Sequence, residues 1–471
     1  METIAVSLVG AMHMKGLQKS LVGAFLWLQL CAAVAGAEQQ KVSRAAQHEV
    51  QTGFRSGQLE EPGTAMHRLK DLPPLDAARL VVQFGRDARS PENRRVACRM
   101  LLTWMDQPEV SDYLLKIVEK KGRSKTPTVS DAQTLRLLLM VLAASDQADV
   151  QHDLEKLVTA YLAASKNNLP TLLAVADELG NQGDSVAVAT LRHLSAWKQF
   201  TAIFAFRRAV VQGLIRCRRA DAIDALVGLL GQIDGEVYGN AVQYLSALTK
   251  TPYGDDVNAW KLWWQKHKND FTFGRPSAKA ATPEVVAAPR QPGSDYGSCS
   301  YFGLPVHARR LVFVIDISGS MRGPRLEMAR RELGNVVAKL PPTSAFSIVV
   351  FNQRVVVWQP SLVPASPANK EAVTQYVSHL QARGTTATYD ALDAAFHFDA
   401  EAVYFLTDGK PTCGRVVDPV QIAALATRAN HARRFSIYTI GIAPGPIGGL
   451  FDTFLKTLAE QNYGSYRHVD Q

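Results

Sequence analysis

The sequence predicts two kinds of architecture in series: an α-helical array over residues 73–271 and an α/β domain with a mainly parallel sheet over residues 308–471. Three observations predict it. Over residues 73–271 apolar residues recur at helical spacing, one amphipathic stretch after another with short breaks. After residue 308 short apolar runs alternate with amphipathic segments, as in a parallel sheet with helices on both faces. Between them residues 272–307 are rich in Pro, Ala and Gly, among them Pro276, Pro283, Pro289 and Pro292, which predicts an extended linker.

The chain has 471 residues, enough for two or three domains. With 47% hydrophobic and 20% charged residues it can bury a sizeable core. Its formal charge is +9, but Lys and Arg are scattered among nearly as many Asp and Glu. The densest basic cluster, Arg216-Cys217-Arg218-Arg219, closes a helical pattern, where cations suit the helix dipole. No basic stripe marks a nucleic-acid partner.

Residues 1–37 read as a secretory leader. Lys15 and Lys19 precede an apolar run from Leu21 to Val34, and Ala35-Gly36-Ala37 supplies a small-residue cleavage site. Met14 is an alternative start. The run is shorter than the roughly 20 residues of a membrane span, so a cleaved signal is expected, with an uncleaved N-terminal anchor as the alternative. Leu28-Gln29-Leu30 is a poor fit before a lipidated Cys31. No later stretch is apolar enough to span a membrane. Export places the chain in a periplasm, outside the cell or on its surface. Residues 38–72 are polar and predict a flexible tether.

The helical region begins with Ala78, Leu80, Val81 and Phe84, followed by Val96 to Trp104 and then by Leu114, Leu115, Ile117 and Val118. Leu135 to Leu142 is apolar enough for burial on most sides. Glu109-Val110 with Leu114, Ile117 and Val118 resembles Asp149-Val150 with Leu154, Leu157 and Val158. Ala187-Val188 with Leu191 and Leu194 resembles Ala222-Ile223 with Leu226 and Leu229. Periods of roughly 35 to 40 residues suit a stacked helical solenoid. The run from Ala220 to Leu230, followed by Val237, Ala241, Val242 and Leu245, looks like a HEAT repeat; a non-repetitive bundle is the alternative. Trp260, Trp263 and Trp264 share a helix face and are expected to cap the open end of the stack.

In the C-terminal domain strands are predicted at residues 310–316, 346–351, 402–407, 435–442 and 465–468, with an antiparallel edge strand at 355–358. Helices are predicted at 325–340, 370–381, 389–396, 419–433 and 450–461. Residues 301–306 are expected to lie as an edge element beside the first strand. Four Cys follow the leader. Cys98 and Cys217 fall in amphipathic helices as plain buried thiols, while Cys299 and Cys413 flank the sheet domain, where a bridge would fasten the linker to the site. That pair is read either as a disulfide or as two free thiols.

The residues with chemistry lie at the carboxyl ends of two of the predicted strands, where open α/β sheets carry their sites. Asp316-Ile317-Ser318-Gly319-Ser320 follows Leu311–Ile315, and Thr407-Asp408-Gly409 follows Val403–Leu406. Gly384-Thr385-Thr386 lies between them. Asp316 and Asp408 with Ser318, Ser320 and Thr386 offer two carboxylates and three hydroxyls, with no His or Cys, which is donor chemistry for a hard cation such as Mg²⁺. Mn²⁺ and Ca²⁺ are alternatives. Gly319 and Gly409 permit the tight turns. Lys410 and Arg415 lie on the same rim and are candidates to steer an acidic partner. His379, His397 and His431 are isolated in helices.

These segments resemble the metal-ion-dependent adhesion site of the von Willebrand factor type A domain, with its Asp-x-Ser-x-Ser, distant Thr and Thr-Asp-Gly turn. All five positions match, making the motif complete, and Met321, Tyr389-Asp390-Ala391-Leu392 and Ile437–Ile442 fit the pattern around them. The resemblance implies a Rossmann-like domain from about residue 308 to the C-terminus. It also implies that Ser318 and Ser320 bind the ion directly, that Thr386 does so directly or through water, and that Asp316 and Asp408 mostly hold coordinating waters. The under-neutralised ion would then accept an Asp or Glu carboxylate from a partner protein. Family switching of affinity would act through the 450–461 helix.

Enzyme signatures fail on inspection. Asp408-Gly409-Lys410-Pro411-Thr412 lacks the upstream Gly and the Lys-Ser/Thr ending of a phosphate loop. Ser318 is not in a Gly-x-Ser-x-Gly elbow, and no His-Glu-x-x-His occurs. The sequence therefore predicts an exported, non-enzymatic, metal-dependent adhesion protein with helical repeats as scaffold. One alternative is an assembly protein whose helices bind the partner while the metal is structural. The other is an accessory subunit of an ATP-driven metal-chelating complex, which needs a cytoplasmic location.

Overall fold

The computed structural model describes residues 44, 47–48, 51–52, 69, 72–85, 91–124, 128–251, 253–273 and 299–470. The expected leader, with Cys31, lies outside the described residues, as do most of the expected tether and residues 274–298 of the expected linker. The chain falls into two compact units, one up to Ser145 and one from Asp146 onward.

The first unit carries α1 (Pro74–Gly85), α2 (Pro91–Leu102), α3 (Pro108–Gly122) and α4 (Val129–Ala143). Thr128 and Asp131 form a reciprocal capping box that starts α4. Leu135 and Leu137–Ala143 are all buried, as their continuous apolar character requires.

The second unit opens with helices α5 (Ala148–Ala164), α6 (Leu169–Gln182), α7 (Ser185–Ala196), α8 (Lys198–Ala202), α9 (Phe204–Cys217), α10 (Ala220–Leu229), α11 (Gly235–Thr249) and α12 (Val257–His267). Two glycines let α6 and α9 meet backbone to backbone. A Cβ on Gly180 would lie 2.6 Å from Gly213 Cα, and one on Gly213 3.0 Å from Ala176 O. At the other end α12 packs on α10. Trp260 and Trp264 are buried, and Trp264 Nε1 donates to Asp224 Oδ1 at 3.1 Å. Trp263 stacks on His267 with centroids 4.5 Å apart.

The sheet part begins with a hairpin, β1 (Ser300–Tyr301) and β2 (Leu304–Pro305). This corrects the expected edge element. Phe302 and Gly303 adopt φ of 50° and 80°, so the segment turns back on itself. Tyr301 then packs edge-on against Phe313 and Tyr404, over the sheet instead of beside it. There follow β3 (Arg310–Asp316), α13 (Pro324–Lys339), β4 (Ala345–Phe351), β5 (Val355–Val357), β6 (Val363–Pro364), α14 (Pro367–Ser378) and α15 (Thr388–Ala395). The last elements are β7 (Ala402–Thr407), α16 (Pro419–Asn430), β8 (Ser436–Ile442), α17 (Leu450–Glu460) and β9 (Tyr466–Val469). The strand order is β5-β4-β3-β7-β8-β9, with β6 also pairing β4. Pairs β3–β4, β3–β7, β7–β8 and β8–β9 are parallel, while β5 and β6 run antiparallel along the outer edge of β4. Chain progression reverses between β3 and β7, so the switch point of the sheet lies there.

The Cys299–Cys413 bridge is absent; both are free thiols. Cys299 is buried with its Sγ 3.6 Å from Val336 O on α13, whereas Cys413 accepts from Thr385 Oγ1 at 3.0 Å in the loop after β7.

The helices of the second unit dock on the amino ends of the sheet strands, and the docking is built from buried charge. Arg208 of α9 is fully buried. Its Nη1 donates to Arg434 O at 2.6 Å and its Nη2 to Ser436 Oγ at 3.0 Å, with Glu236 Oε1 3.8 Å away. Glu236 of α11 accepts from Ser436 Oγ at 2.7 Å and from Tyr438 Oη at 2.5 Å. Glu401, just before β7, accepts from the backbone N–H groups of Glu236 and Arg309, both at 3.1 Å. Gly235, at φ 57°, makes this approach possible, since a Cβ there would lie 2.2 Å from Glu401 Oε2. On the rim Arg434 is paired with Asp177 of α6, which also takes Arg216 at 2.7 Å.

Breaking such a buried pair leaves an uncompensated charge, which costs about 3–5 kcal/mol. Arg208→Ala should therefore lower the unfolding midpoint sharply in calorimetry, and an unchanged midpoint would refute the network. Burial pushes the Asp177 carboxyl up, but Arg434 and Arg216 outweigh it and hold the group below the usual carboxylate range. A depressed pKa gives stability that is present above about pH 4 and lost as pH falls through the folded value. The midpoint gap between native protein and Asp177→Asn should accordingly shrink as the medium is acidified from pH 5 toward pH 3.

Candidate metal centre

Strand register places the first two groups. In the parallel pairing Asp316 lies across from Phe351, and Ile315 across from Leu406, so Asp316 and Thr407 end adjacent strands side by side. Thr407 Oγ1 donates to Asp316 Oδ2 at 2.6 Å. The next residue, Asp408, leaves the strand on the open edge, and the Thr407 hydroxyl also accepts from Gly409 N at 3.3 Å.

The segment after β3 then curls into a single turn of 3₁₀ helix at Gly319–Met321. Ser318 N donates to Asp316 Oδ1 at 2.7 Å, the Ser318 and Ser320 hydroxyls lie 3.1 Å apart, and Ser320 Oγ donates to Asp408 Oδ1 at 2.7 Å. Asp316, Ser318, Ser320 and Asp408 thus form one hydrogen-bonded chain spanning two strands. Thr386 joins it through the backbone. Gly319 N donates to Gly384 O at 2.9 Å, and Arg383 N to Ile317 O at 2.9 Å. Thr386 N donates to Thr412 Oγ1 at 2.9 Å, and Thr386 O accepts from Thr412 N at 3.0 Å. The loop carrying Thr386 is therefore stitched both to the turn after β3 and to the loop after β7.

Asp316, Ser318, Thr386 and Asp408 are all buried. Burial pushes the Asp316 carboxyl up to about 6; the hydrogen bonds from Thr407 and Ser318 oppose this, and the neighbouring Asp408 charge reinforces it. Two carboxylates thus stand close together in low-dielectric surroundings, an arrangement that a cation would stabilise. The donors are all oxygen, three of them neutral hydroxyls, and this set fits a hard divalent ion such as Mg²⁺.

Two contributions were not read from the sequence, those of Arg325 and Thr407, and a third residue takes another role than expected. Arg325, in the first turn of α13, donates from Nη1 to Asp408 Oδ2 at 2.6 Å. Thr407 supplies the hydroxyl that orients Asp316; only the strand register could have revealed it. Arg415, proposed for the rim, bonds Asp390 through Nε at 2.5 Å and Asp393 through Nη2 at 2.6 Å, with its guanidinium over the Tyr389 ring. It clamps the Asp408 loop to α15, and its charge is compensated locally. Lys410 is exposed on that loop.

Residues 309–468 match the family described as von Willebrand factor type A domain. Inter-alpha-trypsin inhibitor heavy chain H4 of Homo sapiens is 31% identical over 185 residues, covering 36% of this chain and 19% of that protein. Von Willebrand factor A domain-containing protein 3A of Homo sapiens is 32% identical over 175 residues, covering 36% of this chain and 14% of that protein. A solved von Willebrand factor type A structure from Catenulispora acidiphila aligns over 36% of this chain and 40% of its own, at 22% identity and a TM-score of 0.31. The chain thus spans no more than about a fifth of the length of the curated relatives it matches. The strand order, the parallel pairing and this match agree: residues 309–468 form a von Willebrand factor type A domain.

Proposed function

We propose that this domain binds a partner protein through a divalent cation held by Asp316, Ser318, Ser320, Thr386 and Asp408, with an Asp or Glu of the partner completing the ion's coordination. Mg²⁺ is the proposed ion, and Mn²⁺ or Ca²⁺ would suit the same oxygens. The observation that carries the reading is the convergence of Asp316, Ser318, Ser320 and Asp408 into one cluster at the carboxyl edge of the sheet, around a carboxylate that burial alone would leave poorly compensated. The bound ion would supply electrostatic attraction for a carboxylate. The protein's own groups orient the donors, through Thr407 and the backbone N–H of Ser318. No catalytic step is proposed.

The helical part of the second unit favours the role of pedestal. It grips the amino ends of the strands, through Glu401 and Ser436, while the cluster lies at the carboxyl ends. The reading in which the helices carry the partner cannot be tested cleanly by removing the domain, since deletion would strip Arg208 and Glu236 of their buried partners. A point substitution at the cluster is the better probe. Residues 1–37 carry the further proposal of export to a periplasm or the cell exterior; among the described residues no helix is long and apolar enough to cross a membrane.

Calorimetric titration of the full chain should show Mn²⁺ and Mg²⁺ binding at one site, abolished in Asp316→Ala while the circular dichroism spectrum is kept. Capture of proteins from cell-surface extracts should then require the ion and fail in EDTA. Ion binding that survives Asp316→Ala, or capture indifferent to EDTA, would sink the reading.

A further inference from the structure

We propose that Arg325 sets the selectivity of the cluster: it competes with the divalent cation for Asp408 and, with the cation seated, supplies the extra positive charge that holds one partner carboxylate. The proposal rests on the cation reading above.

The geometry is specific. The Asp408 side chain is fully buried and divides its two oxygens between two donors, Oδ1 to Ser320 at 2.7 Å and Oδ2 to Arg325 at 2.6 Å. Arg325 Nη1 also lies 3.4 Å from Ser320 O, so the guanidinium sits against the turn that carries two of the hydroxyls. Its side chain is 25% exposed, which places it at the mouth of the cluster between the buried carboxylate and solvent. Helix preference does not explain it: a cation in the first turn of α13 opposes the helix dipole. Gly323, at φ 73°, and Pro324 direct the chain into α13 so that Arg325 follows at once.

Charge balance gives the consequence. Asp316, Asp408 and Arg325 together carry one net negative charge. A divalent cation converts this to one net positive charge, which a single carboxylate neutralises. Without the guanidinium the loaded cluster would already be neutral, and an added carboxylate would leave it negative. Arg325 therefore weakens cation binding by like-charge repulsion and strengthens carboxylate binding by attraction. The ion carries two charges and the carboxylate one, so the effect on the ion is twice as large in free energy; with solvent screening at the mouth of the cluster this comes to roughly tenfold in affinity for the ion and roughly threefold for the carboxylate. A merely structural arginine would move both affinities the same way.

The test uses the full chain. Mn²⁺ affinity is measured by calorimetry, and acetate binding to the Mn²⁺-loaded protein by the loss of water-proton relaxivity as inner-sphere water is displaced. Arg325→Gln should bind Mn²⁺ roughly tenfold tighter and acetate several-fold more weakly, while Arg325→Lys, which keeps the charge but not the guanidinium, should move both affinities less than Arg325→Gln does. Unchanged or weaker Mn²⁺ binding by a folded Arg325→Gln overturns the proposal. If it does not fold, Arg325→Ala replaces it, and failure of both to fold assigns Arg325 a structural role, which also overturns it. If native protein binds Mn²⁺, Asp316→Ala does not, and Arg325→Gln is unchanged, only the role of Arg325 falls. If native protein binds no Mn²⁺, the cation reading falls and takes this one with it.

Discussion

The parallel register of β3 between β4 and β7 is the constraint on which the site depends. Residues Leu311–Ile315 and Ala402–Leu406 are buried without a break, so both faces of these strands are committed to the core. A slip of one residue would turn every side chain to the opposite face and is strongly disfavoured. With the register held, Asp316 and Thr407 end side by side, and Asp408 emerges one residue later. The serine turn and the Thr386 loop then have one place to close.

That arrangement concentrates negative charge where water is scarce. The chain meets the cost locally. Asp316 takes a hydroxyl from Thr407 and the N–H of Ser318; Asp408 takes a hydroxyl from Ser320 and a guanidinium from Arg325. A second arginine, Arg415, contributes from a distance by tying the Asp408 loop to Asp390 and Asp393 on α15. Two arginines near one carboxylate loop thus do different work: one compensates charge at the cluster, the other fixes the loop that bears it.

The opposite ends of the same strands carry the other buried polar system. Arg208, Glu236, Glu401, Ser436 and Tyr438 join helices α9 and α11 to the sheet through hydrogen bonds that leave little of these side chains in water. Polar groups buried this way hold one relative arrangement, since any other would strand a charge. β7 links the two systems directly, with Glu401 before its first residue and Asp408 after its last. Helices α9 and α11 thereby steady the sheet from its amino ends.

Much of this was legible in the chain itself. Helical spacing announced the helices, the alternation after residue 308 announced a parallel α/β domain, and the three short oxygen-rich segments announced the site, because local periodicity and turn chemistry are written in neighbouring residues. The 301–306 segment was misread because its turn depends on positive φ at Phe302, a conformation rare for a large side chain. The Cys299–Cys413 pairing, open on sequence alone, was decided by which elements each thiol packs against. The pairings that matter most join residues far apart: Arg325 with Asp408 at 83 positions, Thr407 with Asp316 at 91, and Arg208 with Ser436 at 228 and with Glu236 at 28. Residue types and spacing determined which chemistry was available. Only the folded sheet, by setting strand neighbours and burying charge, decided which groups meet and which must compensate one another.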